Sequence, residues 1–224
     1  KACNELLKQN ETILETDYLK NGVRPIVAFV SPPYELWTRG LEIRVPEDLK
    51  GKKIKAPGGI TNELYSYLGA VPVTISHAET YEALEKGVIE IVSSYNMAIK
   101  NGGYDELLEY GVMPHIGSVI QSIKINENKW QSLPDNVKEA MMQAGEEVMD
   151  PLGKVYEEAG EQFNKDFIDK GGVIAELTEE ELEKWNKPLN EFTEKWLKEH
   201  ESDGHDYRGV LEDYKQLLEK YKES

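Results

Sequence analysis

The chain has 224 residues, of which 39% are hydrophobic and 30% charged, and its formal net charge is −16. That length buries one large core or two small ones. The acidic balance argues against a nucleic-acid partner, because phosphate binding needs clustered positive charge, and against an anionic membrane surface. The single cysteine, Cys3, excludes an internal disulfide and a multi-cysteine metal site. No apolar run reaches the roughly 18 residues of a membrane-spanning helix, and no signal peptide is visible at Lys1.

Residues 2–20 carry apolar positions at Ala2, Leu6, Leu7, Ile13 and Leu14, the pattern of an amphipathic helix, as if the chain were cut from something longer. Val23 to Val30 is an apolar run that reads as a strand. Ser31 to Gly40 contains Pro32-Pro33, which predicts a loop. That loop holds Tyr34 and Trp37, rings that either contact a ligand or cover a core edge. Leu41 to Val45 alternates apolar and charged residues like an exposed strand or crossover.

Pro46 to Ser94 then reads strand, helix, strand, helix, strand, the layout of an α/β lobe whose ligands collect at the carboxyl ends of strands. The expected strands are 53–56, 69–73 and 88–92. Pro57-Gly58-Gly59 frees the backbone after the first of them. Thr61 or Asn62 is expected to cap a helix with Leu64, Tyr67 and Leu68 on its apolar face. Its free N–H groups and Lys55, at the end of the first strand, form a receptor for a carboxylate; the plainer alternative is a solvated lysine. Ser76 starts the next helix and Gly87 stops it. Ser93-Ser94-Tyr95-Asn96 is four hydrogen-bonding side chains at a strand's carboxyl end, either a turn or a ligand-reading loop.

Tyr104 to Tyr110 is expected to be helical, Val112 to Gly117 a linker, and Ser118 to Ile125 a crossover strand. Asn126 to Pro134 reads as a turn. A long helical pattern starts at Asp135, with Pro151 expected to bend or break it and Gly171-Gly172 to end it. Val173 to Leu177 is a short strand, Thr178 to Glu181 a capping box, and two helices close the chain, over 180–199 and 207–222.

Enzyme signatures are missing. There is no Gly-x-Ser-x-Gly and no phosphate loop. His77, His115, His200 and His205 lack metal-site spacing, although His200 and His205 flank a loop with Asp203 and Asp206. Glu79 and Glu82 share a helix, as surface acids commonly do. The strand-end pocket has no nucleophile, which suits binding rather than catalysis, with no cofactor and no metal.

Several ordered stretches resemble the substrate-binding proteins of TRAP transporters, the DctP-like family. These are Glu47-Asp48-Leu49-Lys50-Gly51 with Lys53-Ile54-Lys55-Ala56-Pro57-Gly58-Gly59, then Leu68-Gly69-Ala70-Val71-Pro72-Val73, then Glu79 through Glu90. Asn126 to Pro134 is similar to the family's Asn-x-x-x-Trp-x-x-Leu-Pro step, and Val173 to Glu181 to its late Leu-Thr-Glu-Glu passage. The resemblance implies a periplasmic-binding-protein-like α/β fold of two lobes with mixed sheets and a long lobe-spanning helix. The first lobe is expected to be truncated at its start. Residues 1–46 and 118–158 would form the rest of lobe I, and 47–117 and 159–224 lobe II with the C-terminal helices.

The resemblance further implies an extracytoplasmic receptor, secreted or lipid-anchored, that closes on a small organic acid and hands it to the membrane permease subunits of a TRAP transporter. Where the family has an arginine that forks onto the ligand carboxylate, this chain has Lys55, a point charge without the planar fork. The family's Asn near the end of the later strand falls at Ser94, beside Tyr95. The expected ligand site is Lys55, Gly58, Gly59, Ser94 and Tyr95, with Tyr34 and Trp37 packing on the ligand body. Two other readings stay open: an effector-binding regulatory domain of the same architecture, and an enzyme using Glu79, Glu82 or Glu90.

Overall fold

The structure is a computed structural model that describes residues 1–222; Glu223 and Ser224, expected in lobe II, lie outside the described residues. In chain order the elements are α1 (Ala2–Gln9), α2 (Glu11–Ile13), β1 (Val23–Val30), β2 (Glu35–Thr38), β3 (Lys53–Lys55), α3 (Ile60–Tyr67), β4 (Val71–Val73), α4 (Thr80–Glu85) and β5 (Ile91–Ser94). They continue with α5 (Asn96–Gly102), β6 (Tyr110–Val112), β7 (Ile120–Asn126), α6 (Glu127–Gln131), α7 (Asp135–Glu147), α8 (Met149–Asp169), β8 (Val173–Ala175), α9 (Glu179–Glu199) and α10 (Tyr207–Tyr221). No helix of the described residues is long and apolar enough to cross a membrane.

The chain divides into two compact units, 1–31 with 119–155 and 196–224, and 32–118 with 156–195. The first boundary follows Ser31 rather than residue 46, because the segment after Pro32-Pro33 enters the second unit's sheet as β2. The last boundary falls inside α9, so α10 belongs with the first unit, where it packs on α1 through Leu217 against Ala2 and Leu6.

In the first unit β1 and β7 form an antiparallel pair from Val23↔Asn126 to Val30↔Ile120, with a register irregularity between Pro25 and Val27, beside a proline that has no N–H to give the ladder. Cys3, Leu7, Tyr18 and Ala28 make its small core. The buried Asn4 Oδ1 accepts the Ala28 N–H at 3.0 Å, tying α1 to β1. Asn126 accepts the Lys129 N–H at 3.1 Å and so caps α6, where a turn was expected. The long helical pattern breaks at Val148, leaving Pro151 in the first turn of α8 where its missing N–H is tolerated.

The second unit is a six-stranded sheet in the order β4-β3-β5-β2-β6-β8. β3 runs parallel to β4 and β5, and β6 parallel to β8, while β2 is antiparallel to both β5 and β6. Five strands therefore end at one edge of the sheet, and β2 begins there. The loop expected over residues 31–40 is thus a fully buried central strand for four of its residues. Leu41 to Val45 forms no strand, although Ile43 is buried and its carbonyl accepts the Tyr110 hydroxyl at 3.2 Å. The helix expected at 104–110 is a single 3-10 turn, Tyr104–Glu106, followed by β6.

Sheet packing explains these differences. Trp37 is 0% exposed and stands edge-on to Phe163 and Phe167 of α8 at 5.1 and 5.3 Å. Val92, Ile99, Tyr104 and Leu84 complete that core. On α3 the buried partner is Tyr65, not Tyr67, which is 42% exposed. Glu181 accepts the Thr178 N–H at 2.8 Å, so the expected capping box forms, while Glu79 accepts the Ser76 N–H at 2.9 Å in the turn before α4, which starts at Thr80 rather than at Ser76.

Candidate functional site

Lys55 ends β3 opposite Val92 of β5, and Ser94 ends β5 opposite Glu35, the first residue of β2. Alternate residues of a strand share a face, so Lys55, Val92, Ser94, Glu35 and Trp37 lie on one side of the sheet, with Lys55, Ser94 and Glu35 nearest the edge. Trp37 is two residues deeper than Glu35 and donates its indole N–H to the Ser94 carbonyl at 3.1 Å. Its ring is wholly enclosed, so it supports this edge from beneath and has no surface to offer a ligand. Of the two rings expected to pack on the ligand, this one is core.

Lys55 is partly buried, and burial pushes its ammonium below the ordinary lysine range. It makes no hydrogen bond or ion pair among the described residues. The four arginines stand elsewhere: Arg24 forks onto Glu127 at 2.8 Å, Arg44 holds Glu181 at 2.5 Å, Arg39 donates to the Glu85 carbonyl at 3.0 Å, and Arg208 lies in α10. No arginine takes the place of Lys55 at this strand end.

The loop after Lys55 is shaped for close approach. Gly58 and Gly59 have φ of 103° and 55°, torsions that a side chain would strain. Gly59, rather than Thr61 or Asn62, is the N-cap of α3. Thr61 instead donates its hydroxyl back to the Gly58 carbonyl at 2.6 Å. The N–H groups of Gly58 and Gly59 donate to no acceptor among the described residues.

Ser93 and Ser94 are buried in β5 rather than in a loop. Ser93 Oγ accepts the Tyr65 hydroxyl at 2.6 Å, and the Tyr104 hydroxyl meets His77 Nδ1 at 3.0 Å. Tyr95 follows at the edge, edge-on to Tyr34 at 5.6 Å and to Tyr156 at 6.2 Å. Burial, then the neighbouring Tyr95 and Tyr156, hold the Tyr34 hydroxyl above the ordinary phenol range, so it stays a neutral donor. Asn96 turns away and donates to Asn164 Oδ1 at 2.8 Å.

Two residues at this edge carried no signal as isolated letters. The Glu35 carboxylate accepts the His115 N–H at 3.0 Å, and its other oxygen lies 2.6 Å from His115 Nδ1. That hydrogen bond raises the imidazole above the usual histidine range, against the opposing effect of burial. The alternation Glu35-Leu36-Trp37-Thr38 was the sequence clue to a strand that would aim Glu35 and Trp37 to one side.

The acids of the enzyme reading are engaged elsewhere. Glu79 accepts from the Ser76 hydroxyl in the turn before α4, Glu82 pairs with Lys86 along that helix, and Glu90 accepts from Lys52 at 3.1 Å and from the Lys53 N–H at 3.2 Å. No group of three or more histidine, cysteine or acidic side chains that could hold a metal occurs among the described residues.

Residues 3–200 match the DctP family, bacterial extracellular solute-binding protein family 7, and the chain belongs to it. It is 24% identical over 165 residues to the C4-dicarboxylate-binding periplasmic protein DctP of Rhodobacter capsulatus, covering 73% of this chain and 50% of that protein. It is 32% identical over 127 residues to a solute-binding protein of Roseobacter denitrificans, covering 56% and 38%. Among solved structures, a TRAP periplasmic solute-binding protein of Desulfovibrio salexigens superposes with a TM-score of 0.80 at 26% identity, covering 99% of this chain and 67% of that one. A Bordetella pertussis extracytoplasmic solute receptor that binds pyroglutamic acid superposes with a TM-score of 0.83 at 20% identity, covering 96% and 70%. The chain thus spans about half or less of those two curated relatives and about two thirds of the solved ones. The two-lobed α/β fold expected from the sequence is the fold of these structures.

Proposed function

We propose that this chain belongs to an extracytoplasmic receptor that binds a small organic acid at the carboxyl edge of the second unit's sheet and releases it unaltered to a TRAP permease. Lys55 carries the carboxylate. The Gly58 and Gly59 N–H groups, Ser94 and Tyr95 supply hydrogen bonds, and Tyr34 packs on the ligand body. Trp37 acts from beneath, by holding Ser94 in place.

The observation that carries this reading is Lys55 itself, a partly buried cation that has lost part of its hydration and has no carboxylate partner among the described residues. Such a charge is costly unless something negative joins it. Solved members of the fold hold L-malate, β-D-glucuronate and mandelate, which supports an acid as the ligand. A secreted or lipid-anchored location goes with the family's extracellular role. The test is a thermal-shift screen against dicarboxylates, keto acids, aromatic acids and sugar acids, since a ligand that binds only the folded state raises its melting temperature. A rise with at least one acid is expected; no rise with any acid at millimolar concentration contradicts the reading.

A further inference from the structure

Among the described residues one buried side-chain polar atom lacks any hydrogen-bond partner, the carboxamide oxygen of Asn62. A buried acceptor left without a donor is costly and in native proteins calls for an explanation. The hydroxyls nearest in sequence are committed elsewhere: Thr61 Oγ1 gives its proton to the Gly58 carbonyl at 2.6 Å, and Ser66 Oγ to the Asn62 main-chain carbonyl at 2.9 Å.

The fold places this oxygen beside the carboxyl ends of the strands, on the face of the sheet that carries Ser93, across the edge from Lys55 and Ser94. β3 and β4 are parallel and joined by α3, so the helix runs back and its first turn sits at the carboxyl ends of the strands. Tyr65, on the same helix, faces the sheet and reaches Ser93 of β5 at 2.6 Å. Residues three apart share a helix face, so Asn62 points the same way as Tyr65. It lies about one turn, roughly 5 Å, nearer the edge. Lys55 and Asn62 flank the same Pro57-Gly58-Gly59 loop, one presenting a cation and the other an acceptor.

We propose that Asn62 is a specificity-determining residue whose Oδ1 accepts a hydrogen bond from a hydroxyl or N–H close to the ligand's carboxylate. This rests on the acid-receptor reading and narrows it to acids that carry such a donor. A plain acid leaves the oxygen unpaired. A 2-oxo acid sets a second acceptor against it.

Titration calorimetry on the chain tests this with three matched probes, mandelate, phenylacetate and phenylglyoxylate, which differ only at the carbon beside the carboxylate. Mandelate is expected to bind about tenfold or more tighter than either partner. In Asn62→Leu the preference for mandelate is expected to shrink to within about twofold while phenylacetate binding persists. An unchanged preference in Asn62→Leu overturns the role of Asn62. Equal or tighter binding of phenylacetate or phenylglyoxylate to the unmodified chain overturns it without any variant, should Asn62→Leu fail to fold. If none of these probes binds, lactate, propionate and pyruvate repeat the comparison for a smaller site. Failure of all six acids overturns this inference; the receptor reading falls only if the dicarboxylates and sugar acids of the thermal-shift screen fail as well.

Discussion

Glu35 holds His115 at two points, taking its main-chain N–H at 3.0 Å and meeting its ring Nδ1 at 2.6 Å. His115 is the one non-glycine with positive φ among the described residues, at 53°. A histidine in the left-handed region is uncommon and costs backbone energy. The buried carboxylate at the start of β2 is what fixes it there, so the turn after β6 is set by a residue far away in sequence.

The pair has a pH signature. Glu35 raises the folded-state pKa of His115 above the 6.5 of the free side chain. A raised pKa contributes stability that is fully present below about 6.5 and is lost as pH rises through the folded value. The His115 side chain is 64% exposed, so solvent screening keeps this contribution to about 1 kcal/mol or less. The melting temperature of the chain should therefore decline relative to His115→Gln between about pH 6 and pH 9. Parallel curves would show that the imidazole gains nothing from Glu35.

Trp37 is a stability residue. Truncating a fully buried aromatic costs about 3–5 kcal/mol, so Trp37→Ala should lower the denaturant midpoint of the ligand-free chain strongly. A midpoint unchanged within error would mean that the ring is not core.

Gly111 makes the complementary case. It pairs with Trp37 across β2 and β6, and a Cβ there would lie 2.5 Å from the indole ring. Gly111→Ala should destabilise by about 1–3 kcal/mol through overpacking. Chemical denaturation that places the variant within 0.5 kcal/mol, roughly the scatter of neutral substitutions, would contradict this contact.

Arg44 and Glu181 predict an acid limb. The guanidinium, then the Thr178 N–H, holds the Glu181 carboxyl down at about 2. A depressed pKa contributes stability that is present above the free value of 4.5 and is lost as pH falls through the folded one. Melting curves from pH 5 to pH 2 should fall more steeply for the parent chain than for Glu181→Gln. Equal slopes would show that the pair adds nothing in solution.

How far the sequence reached depends on what each feature needs. The α/β alternation from Lys53 to Ser94, the Thr178–Glu181 capping box and the Lys55 strand end follow from local spacing and caps, and the structure has them. β2 was hidden because Pro32-Pro33 sits just before it, and a central antiparallel strand is recognised only by its partners β5 and β6. The same distance hid Glu35, whose partner His115 is 80 residues on. Trp37 was ambiguous because Phe163 and Phe167, which enclose it, come from α8. Asn62 read as a cap because first-turn asparagines commonly are; only the torsion of Gly59 shows that the cap lies elsewhere.

Lys55 carries the central claim. Its folded-state pKa is lowered, so the folded chain binds this proton less well than the unfolded chain does, and the charge costs stability at neutral pH. Lys55→Met should therefore melt higher than the parent without ligand. The most direct test is calorimetric titration, into parent and Lys55→Met, of an acid that stabilises the parent. Loss of the charge-assisted contact should weaken binding roughly 10- to 150-fold, from the 1.5–3 kcal/mol typical of such bonds, while the variant stays folded. Equal affinity in the two proteins would contradict the assignment of Lys55 to the carboxylate.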